Sequence, residues 1–257
     1  MTLSGETTVG VSARVDAWLE ELERRVLEQV TFAELARSIR ALSTWYVEKR
    51  DRLGGAQVFG GAGKRAAFAA YYGPLHFFLL RKLAEELSLS DSRPLRIVDL
   101  GCGTGVAGAA CALAFEPPVE IVACDANPWA TKQAGWTYAR LGLSARVSCT
   151  DLLQIPLGGV GTTIVAAFAV NELPEAHRAR LLERLRHAVA HGAHALVVEP
   201  IARASVPWWD SWARTLTGSE GGSRQWRWPA VLPDWLKRLD HAAHLHHDTL
   251  TCRSLSV

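Results

Sequence analysis

The sequence predicts a doubly wound α/β sheet of six or seven strands, preceded by an N-terminal helical layer. Three observations carry this expectation. The run Arg96-Ile97-Val98-Asp99-Leu100 opens into Gly101-Cys102-Gly103-Thr104-Gly105, and Val106 to Ala114 then reads as a helix. Strand, glycine loop and helix in that order are the signature of a nucleotide-binding α/β unit. Short apolar runs then alternate with helical stretches as far as Glu199, the pattern of parallel strands joined by crossover helices. Finally, Thr162 to Val170 is almost continuously apolar, as suits a central parallel strand buried on both faces.

Composition narrows the rest. The 257 residues are 49% hydrophobic and 21% charged, enough apolar material for one core. Three segments are expected: a disordered tail over 1–10, a helical layer or lid over 11–90, and a nucleotide-binding domain over 91–257. The net charge of +2 excludes a global basic field for nucleic acid, though not a local patch. The five cysteines form no C-x-x-C pair and are odd in number, which predicts a reducing compartment. The polar start lacks a signal segment, and no apolar run reaches membrane-spanning length. A cytoplasmic protein without membrane contact is expected.

Val11, Val15, Trp18, Leu19, Leu22, Val26 and Val30 recur at helical spacing. Thr31-Phe32-Ala33-Glu34 is a capping-box pattern, so a second helix starts there and runs to about Lys49. Gly54-Gly55 and Gly60-Gly61-Ala62-Gly63-Lys64 read as a flexible linker. Arg65 to Leu87 is helical with a break at Gly73-Pro74. That break makes a corner of Tyr71, Tyr72 and His76, which either touches substrate or simply packs.

Gly103-x-Gly105-x-x-Gly108 formally matches a dinucleotide fingerprint. Asp99 argues against it. A carboxylate at the strand end repels a pyrophosphate and attracts an ammonium group. Val119 to Cys124 is the second strand, and Asp125 follows the glycine loop by about twenty residues, the offset of an acid that accepts ribose hydroxyls. Its other reading is a helix cap, but Asn127 before Pro128 suits that task better. Trp129 to Leu141 is the next helix, and Ala145 to Cys149 the third strand. Thr162 to Val170 ends in Asn171-Glu172-Leu173-Pro174, at the strand end where ligands bind. Asn171 and Glu172 are the candidate catalytic residues. Their alternative is to cap and open the following helix.

Val98-Asp99-Leu100-Gly101-Cys102-Gly103-Thr104-Gly105 resembles the first motif of the class I S-adenosylmethionine-dependent methyltransferases. The resemblance implies a Rossmann-like fold and S-adenosylmethionine as cofactor. It also implies that Gly101, Cys102, Gly103 and Gly105 pass under the amino-acid end of that cofactor, with Asp99 holding its ammonium. Asp125 and Ala126 then take the ribose, and Asp151 with Leu152 takes the adenine. The loop carrying Asn171 and Glu172 stands beside the transferable methyl group, where either residue orients the nucleophile or accepts its proton.

Glu175 to His191 is an amphipathic helix with arginines at 178, 180, 184 and 186, a solvated face or an RNA contact. Ala195 to Glu199 is the fifth strand. Beyond it, Trp208, Trp209, Trp212, Trp226, Trp228 and Trp235 are expected mostly to pack, with one or two lining a substrate cleft. Gly218 to Arg224 reads as a loop, Pro233 to Leu239 as a short helix and Leu245 to Val257 as the last strand or strands. His241, His244, His246 and His247 look like a metal cluster, but His246 and His247 face opposite sides of a strand, so no metal is expected.

Ala70-Tyr71-Tyr72-Gly73-Pro74, Val170-Asn171-Glu172-Leu173 and Leu250-Thr251-Cys252-Arg253-Ser254-Leu255 resemble the Rsm22-like methyltransferases associated with the small ribosomal subunit. That resemblance implies ribosomal RNA or the small ribosomal subunit as partner. The C-terminal cysteine-rich segments of that group are missing here. Two alternatives stay open: a small-molecule methyltransferase with a pocket of Tyr71, Tyr72 and the C-terminal tryptophans, and a non-catalytic ribosome-assembly factor.

Overall fold

In the computed structural model, which describes residues 4–48, 60–89, 94–202, 206–218 and 222–257, seven strands form one sheet. They are β1 (Arg96–Leu100), β2 (Glu120–Asp125), β3 (Ala145–Cys149), β4 (Thr162–Ala167), β5 (His194–Glu199), β6 (Ser223–Pro229) and β7 (Thr249–Ser256). Their order across the sheet is β3-β2-β1-β4-β5-β7-β6. The first five run parallel, and β7 is antiparallel to both β5 and β6. All five parallel strands therefore end at one edge. The chain winds outward from β1 to β3 and returns to the other side at β4, which opens a crevice over the ends of β1 and β4.

Alternate residues of each strand enter opposite layers, because side chains project with a period of two. Ile97, Val165, Leu196 and Val198 face a core shared with the N-terminal helices, α5 (Val106–Ala112) and α6 (Pro128–Arg140). Val98, Leu100, Ile164, Ala166 and Val197 face a second core under α7 (Glu175–Ala190) and α8 (Trp209–Thr217).

The N-terminal layer follows its periodicity. Trp18, Leu19 and Leu22 of α1 (Ser4–Leu27) are buried, and the Trp18 ring lies 5.1 Å from that of Phe77. The capping box at the start of α2 (Phe32–Glu48) forms: Thr31 N–H donates to Glu34 Oε2 at 2.8 Å, and Glu34 N–H to Thr31 Oγ1 at 3.3 Å. Arg40 on α2 donates to the carbonyls of Ala243 and Ala242 at 3.2 and 3.3 Å, at the C-terminal end of α9 (Asp234–Ala242), where a cation suits the helix dipole.

Four expectations change. Residues 4–10, expected in a disordered tail, belong to α1, since extending a packed helix costs far less than starting one. Gly54-Gly55 lies outside the described residues, but Gly60 to Lys64 is no linker. Gly61, with φ of 92°, caps α3 (Ala62–Ala67), and a methyl group on Gly63 would lie 2.8 Å from Ser38 Oγ. Nor is there a corner at Gly73-Pro74. Phe68–Tyr72 make a π turn, Gly73 N–H donates to the Phe68 carbonyl, and α4 (Gly73–Glu86) continues directly. The wider turn accommodates a proline that has no N–H for the regular ladder. Lastly, Ser223 and Arg224, expected in a loop, begin β6, where Trp226 Nε1 donates to Ser254 Oγ of β7 at 2.8 Å. No described helix is long and apolar enough to cross a membrane.

Candidate active site

The glycine loop leaves β1 by three left-handed turns, with φ of 64° at Gly101, 51° at Gly103 and 82° at Gly105. Only glycine takes such a series without strain. Two of them also meet close neighbours. A methyl group on Gly101 would lie 2.7 Å from Ala169 Cβ, and one on Gly105 would lie 2.9 Å from Ala134 Cα. Gly101, Cys102, Gly103 and Thr104 line a cleft of about 790 Å³ at the carboxyl edge of the sheet. Gly105 does not: it caps α5 and faces α6, so its expected cofactor contact is corrected to a packing role. Thr104 is buried in the cleft wall, and no motif argument had singled it out.

The largest correction concerns Asp99. It is 1% exposed and does not line the cleft. Its Oδ2 accepts from Gly108 N–H at 2.8 Å and from the Tyr138 hydroxyl at 2.9 Å, so it ties β1 to α5 and α6 beneath the loop. Burial pushes its carboxyl up to about 6, against the pull of those two hydrogen bonds. The fit is tight: a methyl group on Gly108 would lie 2.5 Å from Oδ2. Tyr138→Phe removes one of the two donors and is expected to cost about 1–3 kcal/mol, read as a lower urea midpoint.

Asp125, at the end of β2, lines the cleft as expected. Its two oxygens accept from Gly103 N–H at 2.9 Å and Asn127 N–H at 2.8 Å, each keeping a lone pair for a ligand. Burial raises its carboxyl, and the two N–H groups moderate that. Asn127 does cap α6: its side-chain oxygen accepts from the N–H groups of Trp129 and Ala130 at 3.0 and 3.2 Å. Ala126, Asp151 and Leu152 line the same end of the cleft, and Asp151 Oδ1 accepts from Leu153 N–H at 2.8 Å.

Asn171 and Glu172 sit in a 3₁₀ turn, Val170–Glu172, facing the cleft. Neither one caps or opens α7, whose N-cap is Pro174. Asn171 N–H donates to Glu199 Oε1 at 3.0 Å. Glu199, at the end of β5, is 1% exposed, lines the cleft and has Oε2 without a partner among the described residues. Burial pushes it up to about 8, and burial together with Asp125 pushes Glu172 up to about 7. Sequence reasoning missed Glu199, which read only as a strand end before Pro200.

Aromatic residues wall the same half. Phe168 has φ of 55°, rare for a bulky side chain, and its N–H donates to the Val198 carbonyl at 2.8 Å. Its ring stacks on His76 at 4.2 Å, and burial lowers His76 to about 4, so that imidazole is neutral. Tyr72 and Phe68 complete the wall. Tyr71 is not part of it. It is fully buried and bonded to Asp240 and His247, so its expected substrate contact is corrected. None of the C-terminal tryptophans lines the cleft either; Trp209 and Trp226 spend their N–H groups on Ser223 and Ser254.

Among the described lining residues are four carboxylates, Asp125, Asp151, Glu172 and Glu199, and no lysine or arginine. Residues 97–192 match the family described as a methyltransferase domain. The chain carries a methyltransferase domain. Its methyl donor is S-adenosylmethionine. The sheet is a Rossmann-like methyltransferase fold. Comparison with curated proteins finds no match. Among solved structures, the chain is similar to the plantazolicin methyltransferase BpumL, seen with a monoazolic desmethylPZN analog and SAH. That match has 13% identity over 92% of this chain and 98% of the other, with a TM-score of 0.48. A SAM-dependent methyltransferase from Aquifex aeolicus matches at 18% identity over 69% and 87%, with a TM-score of 0.45. A candidate RNA methyltransferase from Pyrococcus horikoshii matches at 14% identity over 70% and 82%, also at 0.45.

The methyltransferase cleft suits its donor. S-adenosylmethionine is a cation at sulfur and at its ammonium, and carries no phosphate. A cleft with acids and no lysine or arginine among its described lining residues favours that charge and repels a diphosphate. The electrostatic expectation placed on Asp99 therefore moves to other acids of the lining.

Proposed function

We propose that this methyltransferase acts on a small acceptor enclosed in the cleft, not on ribosomal RNA. The charge of the cleft carries the reading. RNA brings a row of phosphates, and proteins meet it with lysine and arginine. The described lining holds four acids and no lysine or arginine. Of the four arginines of α7, two are committed inside the protein and two, Arg180 and Arg186, lie exposed. Arg178 bonds the Leu173 carbonyl, Arg184 bonds those of Leu152 and Ile155, and Arg186 pairs with Glu183.

In this reading Gly101, Cys102 and Gly103 pass beneath the amino-acid end of the donor. Asp125 with Ala126 takes the ribose, and Asp151 with Leu152 the adenine. When bound, S-adenosylmethionine supplies an electrophilic methyl group. The protein then has to hold the acceptor in line and keep water out. Phe168, His76, Phe68 and Tyr72 enclose the acceptor, while Asn171 and Glu172 orient it.

The test offers tritiated-methyl donor to small ribosomal subunits and, in parallel, to a low-mass metabolite fraction. Label is expected in the low-mass fraction. Label in ribosomal RNA overturns the reading.

A further inference from the structure

We propose that Nε2 of His247 takes the acceptor's proton during methyl transfer, and that the acceptor bears a hydroxyl group on an aromatic ring. This rests on the small-acceptor reading above.

His247 lies between α9 and β7 and is one of the residues lining the cleft. Its side chain is 33% exposed, so a ligand can reach it. One edge of the ring is fully engaged. Nδ1 is 2.7 Å from Asp240 Oδ1 and 2.8 Å from the Tyr71 hydroxyl. The backbone N–H of His247 donates to Asp240 Oδ2 at 2.9 Å, and the Tyr71 hydroxyl donates to Asp240 Oδ1.

This arrangement fixes the tautomer. Burial alone would raise the Asp240 carboxyl, but hydrogen bonds from Tyr71 and His247 outweigh it and hold the group below its ordinary value. Asp240 is then a carboxylate, able only to accept. Burial, then Asp240, raises the Tyr71 hydroxyl, which stays protonated. The ring proton of neutral His247 must therefore sit on Nδ1, facing Asp240. Nε2 keeps its lone pair, and it has no hydrogen-bond partner among the described residues. An imidazole backed in this way is equipped as a general base.

The topology puts that base over the acceptor half of the cleft. Glu199, the last residue of β5, pairs with Arg253 of β7. Thr249 to Thr251 of β7 therefore run past the end of β5, on the side away from β2 and β3. The acceptor chemistry follows from the need for a base. A thiol ionises readily near neutrality and a neutral amine already has a free lone pair, but a hydroxyl is a weak nucleophile until its proton leaves. The neutral His76–Phe168 stack offers a flat face for an aromatic ring.

The step balances. The acceptor's O–H bond breaks and its proton passes to Nε2. An oxygen–methyl bond forms as the carbon–sulfur bond breaks, and that bond's electron pair stays on sulfur. Asp240 stabilises the resulting imidazolium. Asp240 and Tyr71 are positioning residues. Glu172 is the rival base, and it lies in the field of Asp125.

The test uses the full chain loaded with S-adenosylhomocysteine, which has no methyl to give, and 4-nitrophenol, whose phenolate absorbs visible light. Bound 4-nitrophenol is expected to hold more phenolate than free 4-nitrophenol at the same mildly acidic pH. His247→Asn should still bind the probe but lower its phenolate-to-phenol ratio about tenfold or more, equivalent to one pKa unit. Nitrogen NMR of the ligand-free protein should show His247 protonated at Nδ1, and Asp240→Asn should populate the other tautomer. The proposal is overturned by an Nε2–H tautomer in the wild type. It is also overturned by a phenolate band that persists in His247→Asn or is lost only in Glu172→Gln, or by a loaded enzyme that takes up no 4-nitrophenol. Failure of S-adenosylhomocysteine to bind overturns the methyl-transfer reading together with this proposal; the other failures overturn this proposal alone.

Discussion

Asp125→Ala is expected to weaken S-adenosylhomocysteine binding about 100-fold or more, measured by calorimetry. The magnitude follows from the proposed contact. A carboxylate that accepts from two ribose hydroxyls makes two charge-assisted hydrogen bonds, each worth roughly 1.5–3 kcal/mol, and 1.4 kcal/mol is a factor of ten. Part of the loss comes from the loop, because Asp125 also accepts from Gly103 N–H and Asn127 N–H. Asp125→Asn separates the two effects. It keeps the volume and one oxygen for the loop but gives up the charge, so an intermediate loss is expected. Thermal melts of both variants show whether the loop still holds. Wild-type affinity in Asp125→Ala, or tight binding of NAD by the wild type, sinks the assignment of this acid to the ribose.

The sheet was legible because its strands are extreme in composition. Thr162 to Ala167 and Arg96 to Leu100 are buried in the middle of the sheet, and central parallel strands can hardly be anything but apolar. β6 was not legible: Arg224, Gln225 and Arg227 are exposed on this edge strand, and its first two residues were expected in a loop. The π turn at Phe68–Tyr72 was hidden for another reason. A proline after a glycine reads as a helix end, and only tertiary packing shows that the helix continues.

Asp125 and Asp151 could be placed in the cleft lining from their offsets, since they follow strands whose ends can be counted. Asp99 shows the limit of that method. A strand end points at the crevice, but successive side chains point to opposite faces, and Asp99 points under the loop to Gly108 and Tyr138. The acceptor half was mostly invisible. Tyr71, Asp240 and His247 meet across 169 and 176 residues of chain, and no local pattern encodes such a contact. Glu199 closes an apolar strand and carries no motif. Its signal appears only once its burial is known.

That burial gives the second large effect. Glu199→Gln is expected to raise stability at pH 9 by about 5 kcal/mol, and to change it little near pH 4. In the folded protein the carboxyl is pushed from its ordinary 4.5 up to about 8. A group whose folded value is raised stabilises fully below its unfolded value. That contribution falls as pH climbs through the folded value, here between about 4.5 and about 8. Each pKa unit is 1.36 kcal/mol, which sets the size. The amide keeps the acceptor for Asn171 N–H and never ionises, so the variant escapes the loss. Denaturant melts across this range should show wild-type stability falling while that of Glu199→Gln stays flatter. Parallel curves would mean that Glu199 does not titrate as its burial requires. The same charge has a use when the donor is present. S-adenosylmethionine brings a positive sulfonium into this cleft and S-adenosylhomocysteine does not. The affinity ratio of the two should therefore rise with pH in the wild type, and rise less in Glu199→Gln.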